Sequence, residues 1–203
     1  MVKIRLLLFV LLLTTMTESI EIHCNYKNED THTSYSYYCD VENQLNVMST
    51  NSANINFVRG DHDFGQSNDN VTCLHVSNKN VQIFPKGIQK IFKNLKRIDI
   101  YFGRLKEINQ DDLKAFPQLI ELDLYNNDIQ ILEDKIFAYN LRLTYINFSY
   151  NKLVQIGENV FKMMNLSFLG LFSNGCISKT ASNSTKAVLD IIALIKINCG
   201  SEM

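Results

Sequence analysis

The sequence predicts an α/β solenoid whose turns each add one strand to a parallel sheet, with a cap at either end. Three observations predict it: an apolar pattern that recurs every 23 or 24 residues, cysteines on both sides of the repeats, and an apolar content of 46%. The length of 203 residues suits one domain. A net charge of −1 excludes a bulk nucleic-acid binder, because counterion release needs a basic face.

The amino terminus has the pattern of a targeting segment. Lys3 and Arg5 precede an unbroken apolar run over residues 6–13, and small polar residues follow it. A membrane span needs ~20 apolar residues, so this shorter run predicts a signal peptide over 1–19 rather than an anchor. The chain stops soon after Cys199, without a stop-transfer helix or lipid-anchor tail. We therefore expect a secreted protein that does not insert into a membrane.

Five consecutive segments share the spacing L-x-x-L-x-L-x-x-N-x-L. The alternation within each segment is that of a strand with its apolar side chains turned inward. One such turn cannot bury its apolar face alone, so successive turns stack and share a core. The inward asparagine satisfies backbone groups in the bend. The segments begin at Val71, Leu95, Leu119, Leu143 and Leu166; Asn127, Asn151 and Asn174 hold the asparagine position, and Lys79 and Gly103 depart from it.

This pattern resembles the leucine-rich repeat family in its extracellular form, which has about 24 residues per turn. The resemblance covers residues 71–176 and implies a horseshoe with a parallel concave β-sheet and a binding role. We expect an N-terminal β-rich cap over 20–70 and a C-terminal helical cap over 177–203. The cap residues Cys24, Tyr-Tyr-Cys39, Gly60-x-His62 and Gly65-x-Ser67-Asn68 add a similarity to small secreted leucine-rich repeat proteins of flies and midges.

Five cysteines predict two disulfides and one remainder. Cys176 and Cys199 enclose a segment with a helical apolar face, so a bridge between them would pin that helix over the last turn and contribute roughly 3 kcal/mol. A bridge between Cys24 and Cys39 would close a hairpin. Cys73 is then a free thiol, a link to a second copy that would make a homodimer, or the true partner of Cys39.

The outward strand positions form columns across the predicted sheet, since neighbouring strands lie ~4.8 Å apart. Aromatic side chains at positions that face solvent predict a ligand-binding surface, because stiff rings dominate binding hot spots. The alternative is cross-strand pairing that merely stabilises the sheet. The aromatic residues at these positions are Tyr101, Phe102, Tyr125, Tyr145, Tyr150, Phe168 and Phe172.

A polar column of His75, Asp99 and Asp123 is predicted to flank this surface. Two carboxylates and a histidine could hold a metal ion or perform acid–base chemistry. We favour solvated acids on an open sheet, balanced by Arg97 beside Glu121. The sequence Asp61-His62-Asp63 is interpreted in the same way, as a polar loop. No phosphate-binding glycine loop, Cys-x-x-Cys or His-Glu-x-x-His is present. We therefore predict no enzyme activity, cofactor or metal.

Four sequons could carry N-glycans, at Asn70, Asn147, Asn165 and Asn183. Asn70 and Asn183 lie in the caps and are expected to be occupied, whereas a glycan on Asn147 would stand in the middle of the binding surface. The predicted function is a secreted module that binds a protein ligand, in extracellular defence or adhesion. The alternatives are a structural matrix component linked through Cys73, or an enzyme built on the acidic pair of the polar column.

Overall fold

A computed structural model describes residues 20–31, 34–49 and 53–200, and the predicted signal peptide lies outside them. The described residues include three α-helices. Two are single turns, α1 Ile88–Ile91 and α2 Gln110–Leu113, and the third, α3 Thr185–Asn198, is longer. The strands are β1 Ile20–Thr31, β2 Ser34–Val41, β3 Asn46–Val47, β4 Ile55–Arg59, β5 Cys73–Ser77, β6 Asn80–Val81, β7 Arg97–Tyr101, β8 Glu121–Asp123, β9 Ile131–Leu132, β10 Tyr145–Asn147, β11 Gln155–Ile156, β12 Phe168–Gly170 and β13 Thr180–Ser182.

Nine strands form one sheet in the order β13-β12-β10-β8-β7-β5-β2-β1-β4. All neighbours from β2 to β12 are parallel, and equivalent repeat positions are paired, such as Ile98 with Leu122 and Ile146 with Leu169. The ends differ, because β1 with β2 and β12 with β13 are antiparallel. The predicted solenoid with a parallel sheet and two caps is confirmed.

The core runs the length of the solenoid between this sheet and the returning segments. Inward strand residues such as Leu74, Ile98 and Leu122 are fully buried. On the returning side, Phe137 packs against Phe161 with ring centroids 5.9 Å apart. Each turn therefore buries its apolar face against its neighbours, as stacked repeats must. Within the described residues, no helix is long and apolar enough to cross a membrane.

The repeat asparagines bind the backbone from within. The Asn127 amide oxygen accepts from the backbone N–H groups of Gly103 and Leu105, both at 3.0 Å. Its nitrogen donates to the carbonyls of Ile100, at 2.7 Å, and Leu124, at 3.0 Å. Equivalent bonds surround Asn151 and Asn174. These amides satisfy polar groups that the bend would otherwise bury without partners.

Gly103 replaces the asparagine of its own repeat because the space is already filled. A Cβ added there would lie 2.8 Å from Ile100 Cγ2 and 2.9 Å from Asn127 Oδ1. We predict that Gly103→Asn, which restores the repeat pattern, lowers the free energy of unfolding by about 1–3 kcal/mol through overpacking. Urea unfolding measures this. The control Gly65→Asn, at φ +79 with no atom within 4 Å, should be nearly neutral, and equal stability of both variants would contradict the prediction.

Two disulfides fasten the caps, and they are the pairs that the sequence predicts. Cys24–Cys39 joins β1 to β2, and Cys176–Cys199 joins the last turn to the end of α3. Ser184 caps the amino terminus of helix α3, where its hydroxyl accepts from Ala187 N at 3.2 Å, and the helix buries one apolar face. The fifth cysteine, Cys73, is buried and belongs to neither disulfide. Because it is buried, a link to a second copy would require the sheet to open.

Candidate functional site

The parallel register brings the outward residues of five strands into columns on the concave face. Arg97 pairs with Glu121 in one column, and Asp99 with Asp123 in the next. These are the columns that the constant repeat spacing predicts. The register also extends the second column to Asp40 of β2, which pairs with His75. The N-terminal cap therefore contributes to the face.

Five aromatic side chains make a continuous row along one side of this face, which we call the aromatic row. The Tyr125 ring lies at its centre, with centroid distances of 6.5 Å to Tyr101, 5.7 Å to Phe102 and 5.0 Å to Tyr150. Phe172 continues it at 5.5 Å from Tyr150. Three of these residues are strongly exposed: Tyr150 at 42%, Phe102 at 47% and Phe172 at 48%. The row is a contiguous apolar surface open to solvent.

Two residues of the aromatic row have a backbone conformation that is unfavourable for a bulky side chain. One equivalent position of each repeat, just beyond the strand, has a left-handed conformation, with φ from 52° to 58° in all five repeats. Asn78 and Asn126 tolerate it, whereas a bulky side chain there costs roughly 1–2 kcal/mol. Phe102 and Tyr150 nevertheless hold this position. Sequence reasoning missed this feature, although the two asparagines at equivalent positions were its signature.

Tyr145, which the sequence places in the same patch, lies on the other side of the polar column. Its ring stacks on Phe168 with centroids 4.3 Å apart. Its hydroxyl donates to Asp123 Oδ2 at 3.1 Å. Both rings are half-buried. Tyr145 therefore covers the polar column, in addition to any role at the surface.

The expectation that the acids of the polar column are solvated is wrong. Asp99 is only 1% exposed, and its Oδ2 lies 2.9 Å from Arg97 Nε and 3.5 Å from His75 Nδ1. Arg97 also reaches Glu121 at 3.6 Å. The thiol of Cys73 lies 3.8 Å from the same Asp99 oxygen. The long side chains of the neighbouring columns fold over this carboxylate and convert a surface acid into a buried ion pair.

Asp123 is buried as well, but its recorded contacts are with neutral donors. Asn147 Nδ2 donates to Oδ2 at 3.2 Å, and the backbone N–H of Tyr125 donates to Oδ1 at 3.1 Å. Burial raises the pKa of Asp123 above its ordinary value, and these hydrogen bonds oppose the rise. Asp99 and Asp123 therefore lie below the exposed surface of this face, where they fix the side chains that cover them.

A polar cavity of about 290 Å³ opens beside the ion pair. Its wall holds three groups that catalysis could use, those of Cys73, His75 and Asp99. The Asp99 carboxylate, however, is already paired with Arg97. A thiolate would meet repulsion from that carboxylate. Within the described ranges, no group of three histidine, cysteine or acidic residues could hold a metal ion.

The sequon at Asn147 is buried in the sheet. Its Nδ2, the atom that a glycan would modify, donates to Asp123, and its Oδ1 accepts from Ser149 N at 3.0 Å. A glycosylated chain could not close β10 against β8. We therefore predict that peptide mapping of the protein secreted from insect cells finds Asn147 unmodified. The exposed Asn70 and Asn183 serve as positive controls. A glycan on Asn147 would contradict the proposed binding face.

Part of the chain matches a known family of repeats. Residues 117–175 match the family model described as leucine rich repeat. The NT-3 growth factor receptors of Homo sapiens and Sus scrofa are 31% identical over 99 residues, which is 48% of this chain but 11% and 12% of the receptors. The chain thus spans only about an eighth of the curated relatives it matches.

Among solved structures, a chain of the Drosophila Toll–Spatzle complex aligns with a TM-score of 0.46 at 19% identity, covering 58% of this chain and 17% of that one. An internalin from Listeria monocytogenes aligns at 0.42 and 17% identity, covering 64% and 39%. Residues 117–175 of this chain are thus similar to leucine-rich repeats, a domain type that is typical of protein–protein interaction and generally not enzymatic.

Proposed function

We propose that this protein is a secreted recognition module that binds a protein partner through the aromatic row on its concave face, in extracellular defence or adhesion. The observation that carries the proposal is the row itself: contiguous, exposed rings, two of them on left-handed backbone. A large exposed apolar patch usually marks an interaction site. The two disulfides support export, because cysteines oxidise in extracellular compartments and stay reduced in the cytosol.

Cross-strand pairing alone does not account for the row. Pairing stabilises a sheet when rings sit on extended strand residues, as the stacked Tyr145 and Phe168 do. Phe102 and Tyr150 instead follow their strands, in a conformation that costs stability, and remain nearly half exposed. Strain that is maintained at a surface points to function. A partner that covers these rings would remove their apolar surface from water, which is favourable for binding.

The charges of the concave face indicate the chemistry of the partner. Its strand positions carry four carboxylates and one guanidinium, those of Asp40, Asp99, Glu121, Asp123 and Arg97. The nearby Lys27 pairs with Asp40 at 2.8 Å, which leaves an acidic surplus around Glu121. We propose that the partner presents apolar side chains to the row and basic side chains to this acidic flank. Its association rate should then fall as salt rises.

The double variant Phe102→Asn/Tyr150→Asn tests the proposal. Asparagine suits the left-handed backbone, so the folded state should be as stable as the wild type or more so. Binding should nevertheless be lost, because the exposed rings are gone. The measurement is cross-linked capture from the extracellular fluid of the source organism, with thermal unfolding alongside.

The control is Tyr139→Asn, which removes an equally exposed ring from the segment between β9 and β10. A protein that is captured by the wild type and by the control, but not by the double variant, supports the proposed surface. Equal capture by all three proteins would reject the concave face. A lower melting temperature of the double variant would reject the argument from backbone strain.

A further inference from the structure

Three consecutive residues at the other end of the sheet present a charged sequence to solvent. Strand β4 is the edge strand of the N-terminal cap, and it ends at Arg59, which is followed by Gly60 and Asp61. The Arg59 side chain is 71% exposed, and Asp61 is exposed as well. A guanidinium and a carboxylate therefore flank one glycine at the start of an exposed loop over 60–70.

We propose that this Arg-Gly-Asp sequence is a second docking site, which binds an adhesion receptor that holds a peptide carboxylate through a bound divalent cation and a peptide guanidinium through an acidic side chain. Carboxylate oxygens are the preferred ligands of Ca²⁺ and Mg²⁺. A guanidinium pairs with a carboxylate through two parallel hydrogen bonds. The tripeptide supplies one group of each kind, two residues apart, so its partner must carry both complementary charges.

The central glycine is required by the fold. Gly60 has φ +133, and a Cβ added to it would lie 2.1 Å from the carbonyl oxygen of Cys24. Cys24 is itself fixed by its disulfide to Cys39. The path of the chain between Arg59 and Asp61 is therefore held against the most constrained part of the cap. A docking sequence that is fixed in this way loses little conformational entropy on binding.

The loop that follows is anchored by His62. Its ring stacks on Tyr26 at 3.9 Å between centroids, its Nδ1 lies 3.1 Å from the Tyr37 hydroxyl, and its Nε2 lies 3.0 Å from Asn68 Oδ1. The backbone N–H of Asp63 also donates to the Tyr37 hydroxyl, at 3.1 Å. The loop is thus fastened from below at its second position beyond the glycine. The Asp63 carboxylate accepts from Asn28 Nδ2 at 2.8 Å, whereas Phe64 faces solvent.

The two charged groups are available to a partner. In the described part of the chain, no hydrogen bond or ion pair involves the Asp61 carboxylate. Arg59 pairs with Glu21, but this pair is exposed and a receptor carboxylate can replace it. Phe64, three residues beyond Asp61, is fully exposed and adds an apolar contact to the charges. The loop therefore combines two charged groups with an aromatic anchor.

The test is cell attachment to surfaces coated with the full-length protein, using fibroblasts in buffer containing Mg²⁺. We expect attachment to the wild type, and its loss when EDTA or the soluble peptide Gly-Arg-Gly-Asp-Ser-Pro is added. The peptide Gly-Arg-Gly-Glu-Ser-Pro should not compete. Asp61→Glu, which keeps the charge but displaces the carboxylate, should reduce attachment at least about tenfold. The matched control Asp63→Glu should attach like the wild type.

Several results would overturn the proposal: no attachment to the wild type, attachment that resists EDTA or the first peptide, or equal attachment to Asp61→Glu. Because Asp61 is exposed and has no hydrogen bond or ion pair with any described residue, its replacement should leave the melting temperature unchanged, so loss of folding would not be mistaken for loss of docking. Phe102→Asn/Tyr150→Asn should attach normally. That variant separates failure of this site from failure of the aromatic row.

Discussion

Replacing Asn127 with alanine is expected to lower the free energy of unfolding by about 4 kcal/mol, the largest loss we predict for one side chain of the repeats. The buried amide makes two hydrogen bonds through its oxygen and three through its nitrogen, all to backbone groups. Alanine would leave these groups buried without partners, at roughly 1–3 kcal/mol each before water relieves part of the cost. Urea unfolding followed by circular dichroism measures the change.

The neighbouring residue supplies the control for this prediction. Asn126 is half-buried and has φ 55, where glycine is also favourable. Asn126→Gly should therefore change the stability by less than about 1 kcal/mol. If Asn127→Ala costs no more than this control, the asparagine ladder does not stabilise the bends, and stacking of the apolar faces alone holds successive turns together.

The repeats could be predicted from the sequence because two constraints agree in them. Alternation fixes which side of a strand is buried, and constant spacing fixes which residues of adjacent strands are paired. Ile98, Leu122 and Ile146 accordingly stand in one fully buried row. Even the departure at Gly103 has a local cause, since the amide of Asn127 fills the space that a side chain would need.

The burial of the two carboxylates in the polar column could not be predicted in the same way. Alternation gives the direction of Asp99 and Asp123, but their burial depends on how far the flanking side chains bend across the face. Arg97 donates a hydrogen bond to Asp99, and Tyr145 donates one to Asp123. Whether these bonds form depends on the rotamers of Arg97 and Tyr145. A repeat pattern specifies the inward positions closely, because the core must be filled. It leaves the arrangement of the outward side chains open.

The N-terminal cap contains no repeat, so no regular spacing in its sequence predicts the order of its strands. Strand β1 pairs antiparallel with β2 on one side and parallel with β4 on the other. The sequence indicated strand-like segments and a hairpin disulfide in this region, but not that β4 forms the edge of the sheet. The anchoring of the loop by His62 depends on contacts from residues that are distant in sequence, such as Tyr26.

The combined replacement of Tyr101 and Tyr125 with alanine is expected to weaken partner binding by a few kcal/mol, as the loss of central hot-spot residues does. Tyr125 is the centre of the aromatic row, within 6.5 Å of three other rings. Its removal therefore breaks the row into separate parts as well as deleting contact area. Titration of the captured partner by biolayer interferometry measures the affinity.

The two tyrosines differ in what else they do, and single variants separate those roles. Tyr101 lies in the cavity wall with Asp99, and burial raises the pKa of its hydroxyl far above the ordinary value. Tyr101→Ala should thus lower stability as well as binding, whereas Tyr125→Ala should lower binding alone. Tyr125→Phe keeps the ring and should bind like the wild type. If Tyr125→Ala unfolds the protein while Tyr139→Ala does not, the row is structural, and the partner must bind elsewhere.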